Sequence, residues 1–363
     1  MATVAAVHRE SERSEGGAPQ DEAVVSLEST ARPWTEYILR HPDATGYHDW
    51  AWRDVFERAF ACPSMYFAAR RDRRIVGVLP TVLLDSWLFG RSLVSLPFLN
   101  YGGVLADDAE AARALLTAAV GAARERRCRH VELRHFRQQF ADLPCKRHKV
   151  TMLLPLRAAD ALWDGLDRKA RNQVRKAQKS GLTYREGAAE LLDAFYTVFA
   201  RNMRDLGTPV YSRRFFEQVV AAFPGRARIH VVSRASDMTP VAAAVTFETR
   251  GTVEVPWASS VRDFNALCPN HLLYWSMLEG AAARGCSTFD FGRSTPHEGT
   301  YKFKEQWGAE PVPLCWEYGL LTGNDLPNAS PTNPKFRLAI AMWKRLPLGV
   351  ANRVGPMIVR AIP

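Results

Sequence analysis

The chain carries one run of secondary-structure signals twice, and that repetition limits its fold more than any other feature. Residues Met65 to Leu84 read MYFAARRDRRIVGVLPTVLL: an apolar strand, a charged turn and a second apolar strand. Residues Arg228 to Glu248, RIHVVSRASDMTPVAAAVTFE, repeat the pattern. Ser95 to Gly103 follows in one half and Val253 to Ser260 in the other. Each half then has an apolar helix, Ala109 to Arg124 and His271 to Arg284, with a similar exit, RRCRHVELRH and ARGCSTFDFGR. In this alignment Cys128 meets Cys286 and Glu132 meets Asp290. Matching order and spacing of several elements predict an internal duplication. Each half reads as a mixed α/β (α+β) unit with an antiparallel hairpin and a late helix-strand step. Clefts favour the interface between two such units.

A chain of 363 residues suits two domains. The expected division is a disordered tail over 1–30, a first domain over 31–155, a second over 156–325 and a basic amphipathic tail over 326–363. No run of about 20 apolar residues predicts a membrane-spanning helix, and the N-terminus lacks the apolar stretch of a secretory signal. A cytoplasmic protein is expected. None of the six cysteines forms a C-x-x-C pair, so all are expected as reduced thiols, and no metal site is expected. The net charge of +10 favours anionic partners: nucleic acid, anionic lipid or phosphate-bearing small molecules. It clusters at Arg70 to Arg74, Arg124 to Arg129, Lys146 to Lys149 and Arg168 to Lys179.

The most informative chemistry lies between Asn270 and Trp307. A helix leads into the strand Thr288 to Phe291, then Gly292-Arg293-Ser294, a loop, and Tyr301-Lys302-Phe303-Lys304. Taken as a strand, the last segment puts Lys302 and Lys304 on one face, toward solvent or an anionic ligand. A basic helix is expected over 163–180. Leu162, Leu166, Ala170, Val174 and Ala177 form its apolar face, and Arg168, Arg171 and Arg175 share another. That basic face is either solvated or a phosphate clamp, since arginine grips phosphate with two donors. Further on, Asn202, Arg204, Asp205 and Tyr211 flank the break Gly207-Thr208-Pro209 and are candidate substrate contacts. No G-x-S-x-G elbow occurs, which argues against a serine hydrolase.

The segments RKARNQVRKAQKSGL, NMRDLGTPVYSRRFF and DFGRS…GTYKFKEQWGAE resemble the FemAB family of acyl and aminoacyl transferases, over roughly Tyr47 to Tyr318. Within it, the chain is most similar to members associated with exosortase/PEP-CTERM exopolysaccharide clusters. The resemblance implies two tandem GNAT-like domains, each a largely antiparallel mixed sheet flanked by helices, and transfer of an acyl or aminoacyl group to an amine. It implies an acyl-CoA or aminoacyl-tRNA donor, and a glycan acceptor that is nucleotide-linked or lipid-linked. Lys304 matches the family lysine implicated in stabilising the oxyanion. Arg204 and Tyr211 match positions associated with the precursor substrate. Asp290, Glu254, His297 and Glu305 are the candidate bases. The chain departs from CoA-binding relatives in lacking a clean R/Q-x-x-G-x-G/A loop. It also lacks the long helical hairpin of some tRNA-dependent members. An aminoacyl-tRNA-dependent peptidoglycan ligase and a non-catalytic glycan- or lipid-binding tandem domain are the competing expectations. The tail from Pro334 to Pro363, basic and apolar with Trp343, reads either as a membrane-interface segment or as a segment packed on the second domain.

Overall fold

The computed structural model describes residues 22–86, 89–323, 325–327, 337–360 and 362. The strands are β1 (Val24–Leu27), β2 (Ser64–Arg71), β3 (Arg74–Ser86), β4 (Gly90–Val94), β5 (Leu105–Ala106), β6 (His130–His135), β7 (Cys145–Lys146) and β8 (Val150–Pro155). They continue with β9 (Leu182–Gly187), β10 (Ala227–Arg234), β11 (Pro240–Thr249), β12 (Thr252–Ser260), β13 (Thr288–Ser294), β14 (Glu310–Pro313) and β15 (Cys315–Leu320). Helices α1 (Ala31–Arg40), α2 (Trp52–Phe60) and α3 (Ala109–Glu125) lie in the first half. After them come α4 (Ala159–Gly165), α5 (Arg168–Lys179), α6 (Leu192–Leu206), α7 (Arg213–Ala222), α8 (Pro269–Ala283) and α9 (Gly299–Glu305). Helices α10 (Arg337–Trp343) and α11 (Leu348–Val359) complete the set.

The strands form two mixed sheets. One runs β1-β2-β3-β4-β6-β15-β7, with β5 beside β3; the other runs β14-β8-β13-β12-β11-β10-β9. Both expected hairpins are present, as β2-β3 and β10-β11. The duplication is visible in the pairing itself. Each sheet has one short parallel step: β4-β6 ends at Val94↔Glu132, and β12-β13 ends at Glu254↔Asp290. Glu132 and Asp290 therefore hold equivalent places, as the repeat predicted.

Sheet membership does not follow the expected boundary at 155/156. Strand β8 pairs with β13 and β14 in the second sheet, while β15 returns to pair with β6 and β7 in the first. Between the sheets, α2, α6 and α7 bury one shared aromatic core that includes Trp52, Phe56, Phe195, Phe215, Phe216, Phe247 and Trp257. Burying each such ring stabilises the fold by roughly 1.5–3 kcal/mol, so the halves are joined by a continuous interior. Helix α8 is buried over most of its circumference, which its lack of a polar stripe demands.

Four further expectations are corrected. Val24 to Leu27, expected inside a disordered tail, pair with Phe67 to Arg70; the β-branched pair Val24-Val25 suits this edge position. Residues 1–21 of that tail, and 328–336 of the C-terminal one, lie outside the described residues. The basic helix is two helices, because Asp167 caps a new start by accepting from the Lys169 amide; Leu162, Leu166, Ala170, Val174 and Ala177 are nevertheless all buried. Tyr301 to Lys304 lie in helix α9, not a strand. Finally, Cys145 and Cys315 are joined as a disulfide, with Cα atoms 6.0 Å apart on the neighbouring strands β7 and β15. Cys62, Cys128, Cys268 and Cys286 are free.

Candidate active site

Strand β13 builds the site by breaking its own regularity. Its register with β8 shifts between Asp290 and Arg293. Gly292 sits at φ +74°, and a Cβ there would come within 2.7 Å of the Val255 carbonyl oxygen, so glycine is required. The Asp290 carboxylate accepts from the Gly292 amide at 2.8 Å and from the Thr151 hydroxyl at 2.5 Å. Lys304, buried on α9, donates to the carbonyl oxygens of Gly292 and Arg293 at 2.8 and 3.0 Å. An ammonium has three donors, so one N–H remains beyond these two carbonyl contacts. Burial pushes Lys304 down to about 8, against the nearby Asp290 carboxylate.

On one side of this bulge lies a cavity of about 380 Å³, lined by Glu254, Asp290, Tyr101, Thr249, Arg250 and residues of the Pro42–Gly46 loop. Glu254 accepts from Tyr47 Oη and Asn100 Nδ2, both at 2.6 Å, and from Tyr101 Oη at 3.1 Å. Tyr101 also reaches Asp290 at 2.8 Å, bridging the two carboxylates. Burial, then the charge of Asp290, push Glu254 up to about 8. Burial likewise raises Asp290. Two carboxyl groups this close share the cost of ionisation, and the first proton is readily kept.

On the other side Arg293 points into a larger cleft of about 660 Å³ between the halves. Its walls come from β6 (Glu132, Arg134), the run Lys146 to Lys149, the break Thr208-Pro209-Tyr211, β15 (Trp316, Tyr318) and the tail (Val359, Ile362). Arg134 and Arg293 both lie over the Trp316 ring, at 4.2 and 5.0 Å from its centroid. Arg134 is paired with Glu132 at 2.7 Å. Arg293 has no carboxylate partner among the described residues. Burial, then the charge of Arg134, push it down to about 10, so it stays cationic at neutral pH. Trp316 Nε1 is buried and has no hydrogen-bond partner among the described residues. Burial and the surrounding cations lower His148 to about 4, leaving it neutral. Fixed cations around an open cleft suit an anionic ligand.

The sequence-derived candidates separate accordingly. Arg293 and Tyr211 line the large cleft, Asp290 lines the smaller cavity, and Lys304 supports the bulge between them. Ser294 is buried at the end of β13, and its hydroxyl has no hydrogen-bond partner among the described residues. Lys302 is exposed on α9, because residues two apart on a helix point in nearly opposite directions. Tyr301 packs against the core of the second sheet. Asn202 donates to Ser259 Oγ at 3.0 Å, and Arg204 is held by Asp205 and the Leu346 carbonyl; neither lines a described cavity. Arg171 and Arg175 lie on α5 away from both cavities, with Arg175 over Trp163. His297 and Glu305 are exposed and line neither. Sequence reasoning missed Arg134, Trp316, Tyr47, Tyr101 and Asn100. The basic run Lys146 to Lys149 gave part of the signal.

Among the described residues no group of three or more His, Cys, Asp or Glu is arranged to hold a metal ion, and no helix is long and apolar enough to cross a membrane.

Residues 167–305 match the family model described as an acetyltransferase (GNAT) domain. No curated protein matches the chain. Among solved structures, the fold is similar to a crystal structure of FemX, at 16% identity and TM-score 0.62, covering 86% of this chain and 99% of that one. It is also similar to the C-terminal domain of a putative lysylphosphatidylglycerol synthetase from Agrobacterium fabrum, at 13% identity and TM-score 0.55, covering 81% of this chain and 92% of that one. A tandem GNAT protein of the clavulanic acid biosynthesis pathway covers 83% of this chain and all of its own, at 13% identity and TM-score 0.50. These identities speak for the fold alone: two mixed sheets in a tandem GNAT-like arrangement. The domain match makes the chain an enzyme of the acyl-transfer class.

Proposed function

We propose that this acyltransferase moves an acyl or aminoacyl group to an amine of a cell-envelope glycan or its precursor. In this reading it is a FemAB-type enzyme serving an exopolysaccharide system of the exosortase/PEP-CTERM kind and acting on the cytoplasmic side. The observation that carries the proposal is the cationic cleft, where Arg293 lies over Trp316 beside Arg134 and has no carboxylate partner among the described residues. A CoA ester, an aminoacyl-tRNA and a nucleotide- or lipid-linked glycan all present phosphates that such a cleft would take.

The chemistry then runs at the β13 bulge. The acceptor amine attacks the donor carbonyl, a tetrahedral oxyanion forms, and the CoA thiolate or tRNA hydroxyl leaves. The free N–H of Lys304 is the proposed oxyanion donor, a role worth typically about 2.7–4 kcal/mol in the transition state. Asp290, linked through Tyr101 to Glu254, is the proposed acceptor of the amine's proton. Tyr211 and Arg293 contact substrate from the cleft wall. Asn202, Arg204, Arg171, Arg175, Lys302, Ser294 and Tyr301 line neither of the two cavities described above, and this step gives them no part.

The test is thermal unfolding of the whole protein with CoA, acetyl-CoA, longer acyl-CoAs or bulk aminoacyl-tRNA. A ligand at 100 times its dissociation constant adds about 2.7 kcal/mol. Stabilisation by a CoA ester assigns an acyl-CoA donor. Stabilisation by aminoacyl-tRNA alone assigns the peptidoglycan-ligase branch. Stabilisation by neither overturns the cleft as a donor site, and binding without turnover supports a non-catalytic module.

A further inference from the structure

We propose that α10 and α11 form a docking surface for an anionic membrane, holding the mouth of the large cleft at the lipid headgroups. The pair is firmly seated on its inner side. Trp343, Ala351, Gly355 and Val359 are buried. A Cβ at Gly355 would lie 2.9 Å from the Val210 amide nitrogen, so α11 rests directly on the backbone beside the cleft. Ile340 of α10 packs in the same way on Gly207.

The outer side is apolar and basic at once. Leu338, Met342 and Met357 are 73%, 63% and 68% exposed. Val350, Val354 and Met357 recur at helical spacing along α11 and form one exposed stripe. Lys344, Arg345, Arg353 and Arg360 are exposed around them, and none has an ion-pair partner among the described residues. The sequence has no Asp or Glu after Asp325. Apolar side chains ringed by unneutralised cations are the composition of helices that lie in a bilayer interface, and anionic headgroups supply the missing negative charge. A second copy of this chain meets the surface poorly, because a symmetric contact would set these cations against themselves. Val359 and Ile362 also line the large cleft, so the helix that touches lipid is a wall of the site. Presentation of a lipid-anchored substrate to that site follows only if the proposed transfer reading holds; the docking itself does not depend on it.

The test is flotation of the whole protein with vesicles of phosphatidylcholine alone or of phosphatidylcholine with phosphatidylglycerol, at low and high salt. Binding is expected to the phosphatidylglycerol vesicles and to weaken with salt. Arg353→Glu with Arg360→Glu should weaken it by roughly fivefold or more per cation, and Val354→Ser with Met357→Ser should weaken it at all salt concentrations. All four side chains are solvent-facing, so both variants should keep the wild-type melting profile and unchanged turnover of a water-soluble amine. No binding to phosphatidylglycerol vesicles, binding by both variants as tight as that of the wild type, or a wild-type dimer broken by the serine variant would overturn the proposal. Absent turnover in every protein would count against the transfer reading while leaving vesicle binding to be judged separately.

Discussion

Replacing Glu254 with Gln should remove a pH-dependent weakness from the middle of the molecule. Glu254 is 5% exposed, and every hydrogen bond given to it comes from a neutral donor: Tyr47, Asn100 and Tyr101. Its charged neighbour of greatest effect is another carboxylate, Asp290. A carboxyl that ordinarily titrates at 4.5 and here keeps its proton to about 8 binds more protons folded than unfolded between those values. Stability therefore falls as pH rises through that window, by about 1.4 kcal/mol per pH unit, or on the order of 3 kcal/mol by pH 7. Below pH 4.5 both states are protonated and the effect vanishes. Glutamine can keep its carbonyl toward Tyr47 and Asn100 and turn its amide toward Tyr101, whose own O–H goes to Asp290. Urea unfolding followed by tryptophan fluorescence would compare the two proteins from pH 5 to pH 8. The stability difference should move in favour of the variant by on the order of 3 kcal/mol across that range. A difference that stays constant with pH would refute the reasoning, since Glu254 would then titrate like an exposed carboxyl.

Other perturbations probe the same bulge. Lys304→Met should abolish transfer and also lower stability by about 2–3 kcal/mol in urea unfolding, because two β13 carbonyls lose their donor; near-normal turnover would remove Lys304 from the mechanism. With Lys304 pushed down to about 8, turnover that needs its charge should decline as pH rises through that value, which a pH-rate profile will register. Arg293→Met should leave the melting temperature unchanged or higher, since it relieves repulsion with Arg134, while weakening a phosphate-bearing donor by roughly tenfold or more in a binding titration. Gly292→Ala should cost about 2 kcal/mol or more, measured by chemical unfolding, from its left-handed backbone and its approach to Val255.

Both hairpins and the helices α3 and α8 were legible because their periods persist over many residues. The repeat also placed Glu132 and Asp290 correctly at the ends of the two parallel steps. Tyr301 to Lys304 misled because four alternating residues satisfy a strand; the helical reading needs Phe303 and Trp307 taken together, four apart and packed near Tyr274. Asp167 ended one helix and began another through a single side-chain cap, which the continuous apolar face concealed. The cluster of Arg134, Arg293 and Trp316 joins three distant stretches through sheet order, and no local pattern carries it. The same holds for Cys145 and Cys315, which became neighbours only when β15 paired with β7.

The exchange of β8 and β15 between sheets has a consequence for how the protein is made and how it moves. The β7 side of the first sheet has no partner until residues 315–320 have left the ribosome, so the N-terminal half must wait, incomplete, through synthesis of nearly all of the second. Either half expressed alone would expose an unpaired strand edge. The same two crossings tie the halves like a double stitch. A wide hinge motion would bend both crossings at once and open the aromatic core that the halves share.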